Sequence, residues 1–249
     1  MSIHLSKIST RAPKEFDKAE TKQKLASMLE ELDELQNLLY ANRKYSVLAI
    51  IQGMDASGKD GAVKNVFGTL NPLGVIAKSF KAPTEEELSY DFLWRVHKNV
   101  PAKGMIQIFN RSQYEDVLIT RVHKWIDDET ASQRMKAINN FEKLLHEHNQ
   151  TIILKFYLHI SKEKQQERLN ERLTIEKKHW KANPNDFKEA ELWDDYMKTY
   201  EDCFEKCDVT PWIIVPADQN WYKEHIIATT LLETLKKLDM KYPEVKEQM

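Results

Sequence analysis

The sequence predicts an α/β fold, a central parallel five-stranded sheet with helices on both faces. Three observations carry that prediction. Apolar runs at residues 45–52, 75–80, 105–109, 151–160 and 212–215 alternate with longer, charge-laced segments of helical period. The longest run, 151–160, is nearly continuous in apolar residues, as strands buried on both faces are. The first run ends in the glycine loop Gly53-Met54-Asp55-Ala56-Ser57-Gly58-Lys59-Asp60-Gly61, and residues 62–67 can open a helix after it.

The elements follow in order. Residues 14–42 place Leu25, Leu29, Leu32, Leu35, Leu38 and Leu39 at helical spacing, so a helix is expected whose leucine stripe packs on its own domain. Use of that stripe by a partner helix is the minority reading, since it is only about four heptads long. After the first strand, loop and helix, residues 75–80 make a second strand. Thr84 and Glu87 form a capping box that starts a helix expected to run to about Lys98. Pro101 and Gly104 break the chain before the third strand at 105–109. Residues 127–149 are expected to be helical, ending in the polar pair His146 and His148, which is better explained as solvated surface than as a metal site. Strand four spans 151–160, and Ser161 caps a charged helix over 162–173. Residues 177–184 look irregular, and helix is expected again over 186–206. Strand five at 212–215 and a last helix at 221–238 complete the chain.

Composition limits the function classes. The 249 residues carry a net charge of -2, with a pI near 6.5 and a mean hydropathy of -0.61. Nothing in that balance attracts nucleic acid or an anionic membrane, so an anionic ligand needs a local basic patch. Residues 1–11 lack a signal-peptide core and no apolar run is long enough for a membrane span, so the cytoplasm is the expected location. Cys203 and Cys207 are expected to be reduced thiols, because nothing nearby completes a metal or redox site.

Three constellations could carry chemistry. The loop has the G-x-x-x-x-G-K spacing of a phosphate cradle, with three of the chain's six glycines within nine residues. Backbone N–H groups of Gly53, Ala56, Ser57, Gly58 and Gly61 would face phosphate oxygens, with the Lys59 charge beside them. Asp60 stands where such loops carry Ser or Thr. Asp55 and Asp60 offer hard oxygen ligands to a metal, or either could cap the helix beginning there. The second constellation leaves the end of the third strand: Asn110, Arg111, Glu115, Asp116 and, further on, Arg121. Asn110 stands where phosphate-loop enzymes often carry a metal-holding Asp. Arg111 could clamp a phosphate with two parallel bonds, but each of these residues, taken alone, has an ordinary structural explanation at least as good. The third is a basic stretch: Lys164, Arg168 and Arg172 share one helix face, and Lys177, Lys178 and Lys181 surround His179 and Trp180. It could close over a polyanion as a lid, or be a solvated helix balanced by Glu163, Glu167 and Glu171.

Together, GMDASGKDG, FNRSQYEDVLITRVH at 109–123, ERL…KKHWKANPNDFKEAELWDDY at 171–196 and PWIIVPADQNWY at 211–222 resemble the polyphosphate kinase 2 family. The resemblance runs from about Lys14 onward. It implies a three-layer P-loop kinase fold in one domain over residues 1–249, with an N-terminal helical extension at 1–44 and a lid at 161–185. It implies reversible transfer of the terminal phosphoryl group of inorganic polyphosphate to AMP and ADP, with guanine nucleotides as further candidates and Mg²⁺, or Mn²⁺ in its place, as cofactor. A homo-oligomer is expected. Lys59 and the loop amides would take the transferred phosphoryl, Asp55 would hold the metal with Asp60 beside it, and Arg111 the phosphates. Arg168, Arg172 and Lys177 would act from the lid with Lys178 and Trp180, and Glu115 would lie toward the nucleotide. The Asn-Arg-Ser-x-Tyr-Glu-Asp form of the second motif resembles the class III subgroup. Two alternatives remain: an ATP-dependent nucleotide or small-molecule kinase, which predicts Ser or Thr in place of Asp60, and a non-catalytic polyphosphate- or nucleotide-binding regulator.

Overall fold

The computed structural model describes residues 3–244. Its sheet has the order β2-β3-β1-β4-β5 and every pairing is parallel. β1 (Ser46–Gln52) is the centre, with all seven residues buried. Its neighbours are β3 (Ile106–Asn110), in register Ile51 to Asn110, and β4 (Thr151–His159), in register Gln52 to Tyr157. β2 (Val75–Ser79) and β5 (Trp212–Pro216) are the edges. The chain leaves β1 toward β2 and β3 on one side and returns to β4 and β5 on the other, so a crevice opens beyond the C-terminal end of β1. Ligands bind at such a switch point in open α/β sheets.

Helices cover both faces, the three-layer arrangement the resemblance implies. α1 (Lys18–Asn42) begins four residues later than the leucine spacing suggests, because the Asp17 carboxylate accepts from Ala19 N and Glu20 N and caps it there. Leu25, Leu32 and Leu39 are buried, and α1 packs on the last helix of the chain. The leucine face is thus covered from within the molecule. The loop lysine opens α2 (Lys59–Ala62), which runs on as a π-turn through Val63–Phe67.

The capping box at Thr84 forms, but its helix does not reach Lys98. α3 (Glu85–Leu88) stops after one turn and α4 (Trp94–His97) starts anew. Asp91 accepts from Leu93 N and turns the chain between them. α5 (Ile119–Val122) is short, and α6 (Asp128–Asn149) is capped by Asp127. α7 (Lys162–Thr174), capped by Ser161, is followed by a 3-10 turn at Glu176–Lys181. The helix expected over 186–206 is two: α8 (Pro184–Glu191) and α9 (Trp193–Lys206), broken at Leu192. α10 (Asn220–Lys236) closes the fold. Cys203 and Cys207 are buried free thiols, and His146 and His148 are exposed. No helix among the described residues is long and apolar enough to cross a membrane.

Candidate active site

The glycine loop turns where β1 ends, and its backbone leaves room for nothing larger. Gly53 (φ 150) and Gly58 (φ 94) have positive φ, and a Cβ on Gly53 would lie 2.9 Å from Leu158 O. Ala56 is also left-handed, at φ 61. Lys59, almost fully buried, folds back over the loop and donates from Nζ to Gly53 O at 2.6 Å and Met54 O at 3.1 Å. Burial, and then the charge of Arg111, push its ammonium down to about 8 against the pull of Asp55, Glu115 and Asp60.

The end of β3 meets the loop directly. Arg111, held left-handed at φ 63, sits between Asp55 and Glu115, pairing with the second at 3.0 Å. Glu115 raises the guanidinium's pKa against burial, with Asp55 adding to it. Behind them, the buried Gln52 accepts from Ser112 Oγ at 2.9 Å and donates to Glu115 Oε1 at 2.9 Å, tying this loop to the end of β1. Asn110 Nδ2 donates to Asp60 at 2.9 Å, and Lys181 Nζ donates to the same carboxylate at 3.0 Å. Burial raises the Asp60 carboxyl, but these two partners outweigh it and hold it below its usual range.

The walls come from distant segments. Arg172 pairs with Asp186, and Lys178 with Glu171. Lys223 on α10 is fully buried and donates to Gly58 O and to Asn220 Oδ1, both at 3.0 Å. The result is an open cleft of about 560 Å³ in which eight cations (Lys59, Lys81, Arg111, Arg168, Arg172, Lys178, Lys181 and Lys223) face four carboxylates (Asp55, Asp60, Glu171 and Asp186). A chain of net charge -2 has concentrated its positive charge here. Such a surface recognises multiply charged anions.

Of the residues singled out from the sequence, Asp55, Ala56, Gly58, Lys59, Asp60, Gly61, Asn110, Arg111, Arg168, Arg172 and Lys178 line this cleft. Gly53 and the buried Ser57 lie behind it and shape the loop, and Glu115 stands behind Arg111. Others are elsewhere. Asp116 is turned away, its carboxylate 3.5 Å from Arg95 and its carbonyl accepting from Arg134 at 2.7 Å. Arg121 faces α9, where Asp202 takes it at 2.6 Å, and borders a separate hollow with Trp125 and Lys198. Lys177 and Trp180 also miss the cleft. The 3-10 turn repeats every three residues, so Lys178 and Lys181 share the inner side while Lys177 and Trp180 (78% exposed) face outward.

Arg168 lines the cleft but its donors are engaged. Nη1 donates to Ala56 O (2.9 Å) and Ser57 O (3.0 Å), and Nη2 to Ala217 O (2.9 Å), Asp218 O (3.1 Å) and Asn220 Oδ1 (3.2 Å). It fastens α7 to the loop and to the segment after β5. Sequence reasoning missed Lys81, Asn220 and Lys223, and counted Lys181 only as one of a cationic cluster. The one available signal was the spacing of Asn220 and Lys223, three apart at the start of a helix after a strand end.

Comparison with known proteins places these features in a group. The family model described as Polyphosphate kinase 2 (PPK2) matches residues 15–243. The AMP/ADP-polyphosphate phosphotransferase of Meiothermus ruber is 45% identical, over 88% of this chain and 83% of its own length. The ADP-polyphosphate phosphotransferase of Rhodopseudomonas palustris is 42% identical, over 88% and 81%. The crystal structure of Polyphosphate Kinase 2 from Arthrobacter aurescens superposes with a TM-score of 0.95 at 42% identity, covering 99% of this chain and 90% of that one.

Proposed function

This chain belongs to the polyphosphate kinase 2 family, and from that membership and its cleft we propose that it moves the terminal phosphoryl group of inorganic polyphosphate to AMP and ADP, reversibly, with guanine nucleotides as further acceptors. It does so, in this reading, as a cytoplasmic homo-oligomer. The observation that carries the proposal is the cleft: eight cations against four carboxylates at the mouth of a phosphate-type loop suit a polyphosphate chain better than a single small anion.

Phosphoryl transfer needs positioning and charge neutralisation more than covalent chemistry. The loop amides hold the terminal phosphoryl group, and Lys59 exchanges its carbonyl partners for a phosphate oxygen. Arg111, kept in place by Glu115, adds a planar donor pair. Arg172, Lys178 and Lys181 hold the chain from the lid side. Arg168 acts through the loop it braces rather than by touching phosphate.

Among the described residues, no group of three His, Cys, Asp or Glu side chains is arranged to enclose a metal ion. Mg²⁺ asks for less: one or two carboxylates, with phosphate and water oxygens completing its shell. Asp55 and Asp60 at the cleft mouth fit that demand, each now satisfied by a cation that a metal-bound phosphate chain would release. Bound Mg²⁺, or Mn²⁺ in its place, would neutralise the phosphoryl oxygens.

The test is a product assay offering AMP, ADP, GMP and GDP separately with polyphosphate and Mg²⁺, with Lys59→Ala as control. Formation of the next higher phosphate, reduced at least about a hundredfold in the variant, is expected, since one fixed donor at a developing charge is worth that much. Transfer from ATP to a small acceptor with none from polyphosphate would overturn the proposal, as would retained turnover in Lys59→Ala.

A further inference from the structure

Among the described residues two lysines, Lys155 and Lys223, are fully buried, and they are housed differently. Lys155 in β4 has a carboxylate, Glu142, at 2.9 Å, with Tyr114 Oη and Cys207 O as further partners. Lys223 has only the Gly58 carbonyl and the Asn220 side-chain oxygen, and among the described residues no carboxylate pairs with it. Its surroundings add to the cost. The Arg168 guanidinium lies on the same side of Gly58: a Cβ placed there would be 2.5 Å from Lys223 Nζ and 3.5 Å from Arg168 Nη1. Lys223 also sits in the first turns of α10, where the helix dipole disfavours a cation. A buried ammonium set beside a like charge and a positive helix end lacks its counter-anion.

We propose that Lys223 is a positioning residue of the phosphate site, holding Gly58 from the α10 side of the loop and supplying a fixed positive charge to the cleft it lines. This rests on the functional reading above. Gly58 is the left-handed residue that aims the amides of Lys59 and Asp60, so Lys223 bears on both the shape and the potential of the cradle. Lys59 and Lys223 line the same cleft, Lys59 from the loop itself and Lys223 from α10. Burial and Arg168 oppose the charged form of Lys223, while Glu224 and Asp60 favour it; an anion at the loop would add to the favourable side.

The test measures inorganic tripolyphosphate binding by calorimetry without nucleotide, alongside the melting temperature of the free protein. Lys223→Gln keeps a donor for Gly58 O and drops the charge. Lys223→Met drops both, and Lys223→Arg keeps the charge. Affinity is expected to fall on the order of tenfold or more in the Gln and Met variants, as loss of a nearby buried charge requires, and to be regained at least in part in Lys223→Arg. The melting temperature of the free Gln variant should stay level or rise. Unchanged tripolyphosphate affinity in both neutral variants, or a lower melting temperature with affinity retained, would overturn the inference. If the unaltered chain binds no tripolyphosphate, the functional reading falls first and this one with it.

Discussion

Asp60 illustrates how one residue departs from a loop pattern without disturbing the loop. Its carboxylate replaces the hydroxyl of the usual Ser or Thr, and the fold answers with Asn110 and Lys181, which hold it ionised despite partial burial. Both partners come from remote segments, so the substitution was visible in the sequence and its compensation was not. Lys223 shows the opposite case, a residue just past the PWIIVPADQNWY segment whose role no local pattern announced. Burial, then Arg168, lower its ammonium from 10.5 to about 8. A base whose pKa is lowered on folding destabilises the folded state below the folded pKa. That penalty fades as pH rises from about 8 and is gone above the unfolded value. The stability gained by Lys223→Met over the unaltered free protein should therefore shrink by up to about 3 kcal/mol between pH 8 and 10.5. Denaturant titrations at a series of pH values measure it, and a constant difference would mean that Lys223 does not titrate in this range.

Elements are positioned by such side chains as much as by their own propensities. α7 was legible from Ser161 and its charged periodicity, but its docking depends on Arg168, which reaches five acceptors on two other segments. Arg168→Ala leaves buried carbonyls unpaired, each costing roughly 1–3 kcal/mol. The variant should melt well below the unaltered protein and bind polyphosphate and nucleotide more weakly together, because the loop and not one ligand is affected. A selective rise in polyphosphate KM with an unchanged melting temperature would instead mean direct phosphate contact. Arg168→Lys should recover little, since an ammonium cannot span the same fork of acceptors. The 3-10 turn after α7 is a similar lesson. Composition marked it as a basic stretch, but only its period of three selects Lys178 and Lys181 over Lys177 and Trp180. The break at Asp91 escaped notice because the residues around it do not interrupt a helical pattern strongly enough to be read one by one.

At the scale of the whole molecule, the charge distribution outweighs the net charge. A protein of net charge -2 gathers eight cations around one cleft while the remainder of its surface carries the compensating acids. Polyanion binding should therefore depend on salt: raising NaCl from about 0.1 to 0.5 M shortens the screening length to well under 10 Å and should weaken tripolyphosphate binding about tenfold or more. Affinity that does not respond to salt would place binding outside this cleft. The five strands, most helix starts, the glycine loop and the lysine within it were legible residue by residue, because they follow from local rules: apolar runs, capping side chains and backbone that favours glycine. Contacts between remote segments turn Arg121 and Asp116 away from the cleft, set five acceptors from two other segments around Arg168, and bring in Lys223 from a helix 165 residues beyond Gly58. A long cationic side chain takes its role from whichever acceptor the fold brings within 3 Å or so, and that distance is set by packing between segments that no local pattern connects.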